Sequence, residues 1–257
     1  MRVLFLLLPL SVWSMWIGNP GQPGMQTHGI ALQSEWCSLR LTYLNDWVYR
    51  QDLQDEFTLE NVQHIDNTVQ LSTQAGLVTF NIRDWVDLYG ILGGSRLKVN
   101  EEIFTKPHFS WGVGGKVLFL NIGNFRASAD MKYFETDQIP QYFLVDSQAY
   151  NVVLPVTLAY EEFQTSLGLS YETRWFSPYA QVSYLISKLN AQPPKKAYVR
   201  FPQTNVQADV DVSSSTGKRR WGMALGATLI DKKTGSLAIE WRAFNQNALD
   251  VNAEVRF

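Results

Sequence analysis

The sequence predicts an all-β protein, an antiparallel transmembrane β-barrel of the outer-membrane type with about 10 to 12 strands. Three observations predict it. Apolar and polar residues alternate over stretches of about 10 to 14 residues, whereas strands of soluble proteins average five or six. Aromatic residues gather where those stretches end. Short and long connections alternate along the chain.

The alternation is clearest at Leu249–Phe257, where Leu249, Val251, Ala253, Val255 and Phe257 share one face and Asp250, Asn252, Glu254 and Arg256 the other. Only a strand, with its two-residue side-chain period, sorts those sets. Upstream, Leu237, Ile239, Trp241 and Ala243 oppose Ser236, Glu240 and Arg242. Trp221, Met223, Leu225, Ala227 and Leu229 oppose glycines, Ala224 and Thr228. Leu167, Leu169, Tyr171 and Trp175 oppose Gln164, Ser166, Ser170, Glu172 and Arg174. Phe125, Ala127, Ala129, Met131 and Tyr133 oppose Arg126, Ser128, Asp130 and Lys132. Near the start, Leu39, Leu41, Tyr43, Trp47 and Tyr49 oppose Arg40, Thr42, Asp46 and Arg50. Two stretches fit less cleanly: Val69–Leu77, and Phe109–Phe119 with its Gly112, Gly114 and Lys116. Asp84–Leu97 is mixed, and its strand rests on its neighbours. Trp47, Tyr49, Tyr133, Trp175, Tyr179, Trp221 and Phe257 stand near strand ends, as interfacial girdles require.

Composition fits and excludes. The chain has 257 residues, 46% hydrophobic, 13% aromatic and 18% charged, with a net charge of −2. The aromatic content argues against disorder, and the charge leaves no basic footprint for nucleic acid. A mean hydropathy of −0.15 conceals a lipid face, because half of each strand is polar. Cys37 is the one cysteine, so an intramolecular disulfide and a cysteine zinc site are excluded.

Met1, Arg2 and the apolar run to Leu10 read as a signal peptide over residues 1–14, too short to cross a bilayer as a helix. Residues 15–35, with Ile17-Gly-Asn-Pro-Gly-Gln-Pro-Gly24, are expected as a turn-rich periplasmic segment, and 36–257 as the barrel. Taking the last strand inward puts Asp231–Gly235, Trp175–Pro178, the turn near Asn121 and the break near Arg83 in the periplasm. Segments 51–66, 98–107, 134–162, 190–217 and 245–247 fall outside. Ten strands result. Strand-like runs at Val152–Leu158 and Val206–Val212 would make twelve if either formed a hairpin in the wall.

Several segments together resemble the chlamydial major outer membrane protein, a porin family. They are Tyr160-Glu-Glu-Phe-Gln-Thr-Ser-Leu-Gly-Leu-Ser-Tyr171 with Phe176-Ser-Pro-Tyr179, Trp221–Ile230, and the ending Asn247-Ala-Leu-Asp-Val-Asn-Ala-Glu-Val-Arg-Phe257. Gly18-Asn-Pro20, Trp36-Cys-Ser-Leu-Arg40, Asn81-Ile-Arg-Asp84 and Leu92-Gly93 add to it. The resemblance implies an outer-membrane porin that lets ions and small polar solutes diffuse, contributes to membrane structure and forms a homotrimer. Typical members are longer and cysteine-rich; here the outer segments are trimmed, and Cys37 allows at most one intermolecular disulfide.

The expected pore-lining residues are Arg40, Arg126, Asp130, Lys132, Glu172, Arg174, Glu240, Arg242, Asp250, Glu254 and Arg256. Charge rings of this kind set selectivity in a wide, wet lumen. In a barrel of ten to twelve strands the same charges can instead pair across the lumen and close it. Phe257 is the expected signal to the outer-membrane assembly machinery. The expected partners are outer-membrane lipid, that machinery, small solutes and ions, with no nucleic acid. Enzyme chemistry is not expected: the chain has no Gly-x-Ser-x-Gly and no His-Glu-x-x-His, and His28, His64 and His108 fall in loops or the N-terminal segment. No cofactor or metal is implied. The alternative is a structural or adhesive barrel with a closed lumen, whose segments 134–162 and 190–217 bind a ligand. Glu161-Glu162 and Lys218-Arg219-Arg220 read as solvated rim charges, the basic run within reach of lipid phosphates.

Overall fold

The computed structural model describes residues 18–24, 36–54, 68–145, 148–154, 156–192, 196–200, 207–211, 214–231 and 234–257. The signal-peptide reading of residues 1–14 lies outside them. The strands are β1 (Cys37–Asp52), β2 (Thr68–Ile82), β3 (Val86–Val99), β4 (Ile103–Thr105), β5 (His108–Ile122), β6 (Phe125–Gln138), β7 (Pro140–Val145) and β8 (Gln148–Leu154). They continue as β9 (Leu158–Tyr171), β10 (Phe176–Ala191), β11 (Lys196–Arg200), β12 (Gln207–Asp211), β13 (Ser215–Thr216), β14 (Trp221–Asp231), β15 (Gly235–Ala243) and β16 (Asn247–Arg256).

Ten of these strands form the wall, all antiparallel, in the order β1-β2-β3-β5-β6-β9-β10-β14-β15-β16. Pairing of β1 with β16, from Arg40↔Arg256 to Trp47↔Leu249, closes the ring. Closure leaves no unpaired edge in lipid, where an unsatisfied backbone group is costly. At one end the wall strands join by tight turns. Arg83 and Asp84 both have positive φ (51° and 58°), the form of a two-residue turn that follows strand twist. Asn81 Oδ1 accepts the Asp84 N–H at 3.0 Å and holds that turn.

Both hairpins suspected from the sequence exist, but neither enters the wall. β7 pairs with β8 and β11 with β12, and these pack edge to edge through β8–β11. β4 joins the group to the end of β3. The wall therefore stays at ten strands.

The wall is uneven in height. β14, β15 and β16 are 11, 9 and 10 residues long, whereas β1, β2, β3, β5, β6, β9 and β10 run to 14–16. The short side carries the brief β15–β16 connection, which explains why one outer link is tight while the rest are long.

Polarity inverts along the tall strands. On β6 the outward residues from Phe125 to Tyr133 are apolar or aromatic, and on β9 so are Tyr171, Leu169, Leu167 and Phe163. Eight residue-to-residue steps of about 3.3 Å give about 26 Å of strand for this band. Two aromatic belts flank it. Phe125 and Tyr171 stack edge to face at 4.9 Å at one end; Trp111–Tyr133 (5.7 Å) and Tyr184–Trp221 (5.2 Å) meet at the other. Tyr179, expected in a girdle, instead points inward and is 5% exposed, because Ser177 and Gln181 share its face.

Beyond the outer belt the faces trade character. On β2, Gln70, Ser72 and Gln74 point outward, while Val69, Leu71, Ala75 and Leu77 point in and are buried. On β3, Arg96 and Lys98 face out, and Leu97 and Val99 face in. These ends of the strands behave as a water-soluble barrel standing on the membrane-embedded one. Its interior is a dry core of Leu44, Val48, Leu71, Leu97, Phe134, Leu158 and Leu189 with their neighbours. Each such side chain, fully buried, contributes about 1.5–3 kcal/mol of transfer free energy.

Candidate functional site: the barrel interior

The strand parity that sends apolar residues to lipid brings the opposite set inward. Among the described residues, seven carboxylates (Asp46, Asp87, Asp130, Glu162, Glu240, Asp250, Glu254) and five cations (Arg40, Lys116, Lys132, Arg242, Arg256) are buried. Arg40 pairs with Asp87, and its Nη1 lies 3.4 Å from Glu254 Oε1. Arg242 reaches Asp46 (3.0 Å) and Glu240 (3.4 Å). Lys132 pairs with Glu162 at 3.2 Å, and Lys116 with Asp130 at 3.6 Å. Glu162 also accepts from Gln246 Nε2 at 3.2 Å. Asp250 stands opposite Asp46 in the β1–β16 register and accepts from Asn252 Nδ2 at 3.0 Å. Nearer the tight-turn end, Arg256 meets Asp84 at 3.0 Å and Arg126 meets Glu172 at 2.5 Å.

Two inward tyrosines use one device. Tyr89 lies opposite Gly114, and Tyr179 opposite Gly226; a Cβ on either glycine would run into the ring. Tyr89 Oη donates to Asp130 Oδ1 at 2.9 Å, and Tyr179 Oη to Glu240 Oε2 at 3.0 Å.

Residues 18–24, expected as a periplasmic segment, are buried in the lumen and end in a short 3₁₀ turn, Gln22–Gly24. Polar wall residues draw the segment in by taking up its backbone groups. Gly18 N–H donates to Glu240 Oε2 (3.2 Å), and Gln181 donates to Gly18 O. Asn19 Nδ2 donates to Thr228 Oγ1 (3.0 Å) and Ser177 Oγ (3.2 Å), while its carbonyl accepts from Lys116 Nζ (3.1 Å). Gln22 Nε2 donates to Glu254 Oε2 at 2.6 Å, and Arg40 Nη1 to Gln22 O at 2.9 Å. Asn81 Nδ2 donates to Pro23 O at 3.1 Å.

Of the residues singled out from the sequence, Arg40, Asp130, Lys132, Glu240, Arg242, Asp250, Glu254 and Arg256 are buried in the interior; Arg126 and Glu172 sit part-buried at its turn end. Arg174 does not face the interior. Alternation ends with β9 at Tyr171, and Arg174 is exposed in the turn, its guanidinium 5.0 Å from the Trp175 ring. Glu162, read as a solvated rim charge, is fully buried, because Phe163 and Glu161 take the outer face. Asp87 and Lys116 were not singled out, although each alternates with outward apolar neighbours, Leu88 and Val117. Cys37 is exposed at the turn end of β1. Phe257 N–H donates to Leu39 O at 2.8 Å, fastening the C-terminus to β1. Among the described residues no His, Cys, Asp and Glu group is arranged to hold a metal.

A closed, even-numbered antiparallel barrel with an apolar band, two aromatic belts and a charged interior defines an outer-membrane β-barrel protein. The chain is a distant relative of the chlamydial major outer membrane porins. It is 20% identical to the major outer membrane porin, serovar E, of Chlamydia trachomatis, over 96% of this chain and 95% of that protein. It is 22% identical to the major outer membrane porin of Chlamydia abortus over 96% of each. The first of these alignments runs to 376 positions against 257 residues here, so the relative carries long insertions that this chain lacks. No protein-family model matches the chain. Among solved structures it resembles the Bordetella autotransporter BrkA β domain (TM-score 0.42, 12% identity, 86% of this chain and 98% of that one). It also resembles the COG4313 outer membrane channel of Pseudomonas putida F1 (TM-score 0.42, 10% identity, 88% and 97%). The Escherichia coli outer membrane protease OmpT gives a TM-score of 0.39 at 9% identity, over 86% and 93%.

Proposed function

We propose that the protein is a porin-type barrel, closed in the conformation described, that lets ions and small polar solutes diffuse when it opens and otherwise helps frame the outer membrane. The observation that carries this reading is the charged lumen, with seven buried carboxylates against five buried cations among the described residues. A lumen serving only as a core would be filled more cheaply by apolar residues, since desolvating paired charges can outweigh their attraction. The carboxylate excess favours cations over anions in the open state. Kinship with proteins named porins supports the same reading. In it Arg40, Asp130, Lys132, Glu240, Arg242, Asp250, Glu254 and Arg256 line the conducting path, residues 18–24 act as its plug, and no catalytic role is assigned. The C-terminal strand ending at Phe257 engages the assembly machinery, and the protein is a homotrimer that runs as such on unboiled gels.

A second reading is favoured by one observation. The outer part of the lumen is a dry apolar core, which suits a structural or adhesive barrel working through its outer segments. Planar-bilayer recording separates the two. The porin reading expects discrete, infrequent conductance steps with cation preference in a KCl gradient. The double variant Asn19→Ala, Gln22→Ala, which loosens the plug, should open more often. Silence from both proteins, with heat-modifiable migration proving them folded, establishes the structural reading instead.

A further inference from the structure

The outer wall holds a built concavity of about 760 Å³ within the apolar band, spanning β3, β5, β6, β9, β10 and β14. A barrel exterior is convex, so the hollow needs a cause. Its floor is made of outward positions with short side chains, Gly115, Ala129 and Thr165; Gly115 and Thr165 flank Met131 as its cross-strand partners on β5 and β9, and Ala129 lies two residues from Met131 on β6, diagonal to both. Leu88, Met131 and Leu167 wall it. Its outer mouth is the Tyr184–Trp221 pair of the aromatic belt.

Directly beyond Trp221 the chain reads Lys218-Arg219-Arg220, all exposed. Arg220 is tied to the mouth: its Nη1 donates to Tyr184 Oη at 3.1 Å, and its carbonyl accepts the Leu185 N–H at 2.8 Å. Lys188, exposed on β10, stands on the same side. Two outward carboxylates stand nearby, Glu135 on β6 and Glu161 on β9; they pair across β6–β9, and Glu161 also has Lys188 as its cross-strand neighbour, so Arg219 and Arg220 on the β14 side of β10 are the cations left for a ligand.

We propose that this groove is a specific site for an anionic, phosphate-bearing lipid of the outer leaflet, with an acyl chain in the hollow and the headgroup phosphate on Arg219 and Arg220. The volume lies within the range of about 300–1,000 Å³ typical of ligand pockets. Guanidinium groups suit phosphate oxygens because they bind them through two parallel N–H donors. The basic cluster lies at the outer mouth, level with the headgroups, where a lipid whose chain fills the groove would present its phosphate.

Native mass spectrometry of the detergent-solubilised full chain tests this with three probes: a diphosphorylated acylated glucosamine disaccharide, its dephosphorylated form, and phosphatidylethanolamine. The phosphorylated lipid should bind one copy per chain at least tenfold more tightly than the other two. The pair Arg219→Ala, Arg220→Ala should remove the phosphate preference. Ala129→Leu with Thr165→Leu, which fills the groove from the lipid side, should remove tight binding while heat-modifiable migration stays intact. Equal affinity for the dephosphorylated lipid, or unchanged binding by the filled variant, overturns the proposal.

Discussion

Tyr179 lies across Gly226, its cross-strand partner, and hands its hydroxyl hydrogen to Glu240 Oε2 at 3.0 Å. One missing Cβ on β14 thus lets an aromatic ring from β10 cover the wall and reach a carboxylate on β15. The Tyr89–Gly114–Asp130 arrangement repeats it on β3, β5 and β6. Gly226→Ala should place a methyl group in the ring of Tyr179, force it off Glu240 and cost about 1–3 kcal/mol, as overpacking does. Gly90→Ala, whose added Cβ would meet nothing within 4 Å, should be near neutral. Urea midpoints of the detergent-folded protein, followed by the heat-modifiable gel shift, compare the two.

Arg242 faces two carboxylates at once, Asp46 and Glu240, with 1% of its side chain exposed. Arg242→Leu would leave both acids buried without their cation. Breaking a buried pair from one side costs about 3–5 kcal/mol. The variant should unfold at markedly lower urea concentration, and adding Asp46→Leu should restore part of the loss. A double-mutant cycle on urea midpoints reads the coupling directly.

The strands, their pairing and the alternation of tight and long connections were legible because each is local: a two-residue period and a turn residue need no knowledge of the rest of the chain. The facing of β2 was not. Alternation of Val69, Leu71 and Leu77 with Gln70, Ser72 and Gln74 shows two faces but not which one meets lipid, and above the outer belt the apolar face turns inward. The same inversion hid the dry core and the burial of Glu162. The lumen plug was illegible for another reason. Gly18–Gly24 is polar and turn-rich, and only the closed wall supplies the Asn81, Lys116, Gln181 and Glu240 partners that hold it. Arg174 lies three residues past the end of β9, where the two-residue period no longer decides which way a side chain points.

Inversion of polarity also sets where the bilayer sits, and that is testable by charge scanning. Leu225 points outward on β14 between Trp221 and Leu229 and is 44% exposed. Leu225→Arg should cost about 2–4 kcal/mol, the penalty for a cation near the midplane on a barrel's lipid face. Gln74 points outward on β2 beyond the apolar residues Val78 and Phe80. Gln74→Arg should change stability by less than about 0.5 kcal/mol, as surface substitutions do. Unfolding of both variants from lipid vesicles measures the contrast, and equal penalties would put the upper half of β2 in the membrane.

Cys37 opens β1 at the tight-turn end and is exposed. With one thiol per chain, oxidation can join two copies and no more. Copper–phenanthroline oxidation of whole membranes should therefore yield at most a band of twice the monomer mass on non-reducing gels, abolished by Cys37→Ser. A ladder of higher bands would require a second linking chemistry. Thiol-reactive maleimide should label Cys37 in detergent, and in intact cells a membrane-impermeant maleimide should leave it unlabelled if, as the loop lengths imply, the tight-turn end faces the periplasm. Labelling of intact cells would reverse the orientation of the barrel and move the Arg219–Arg220 cluster to the inner leaflet.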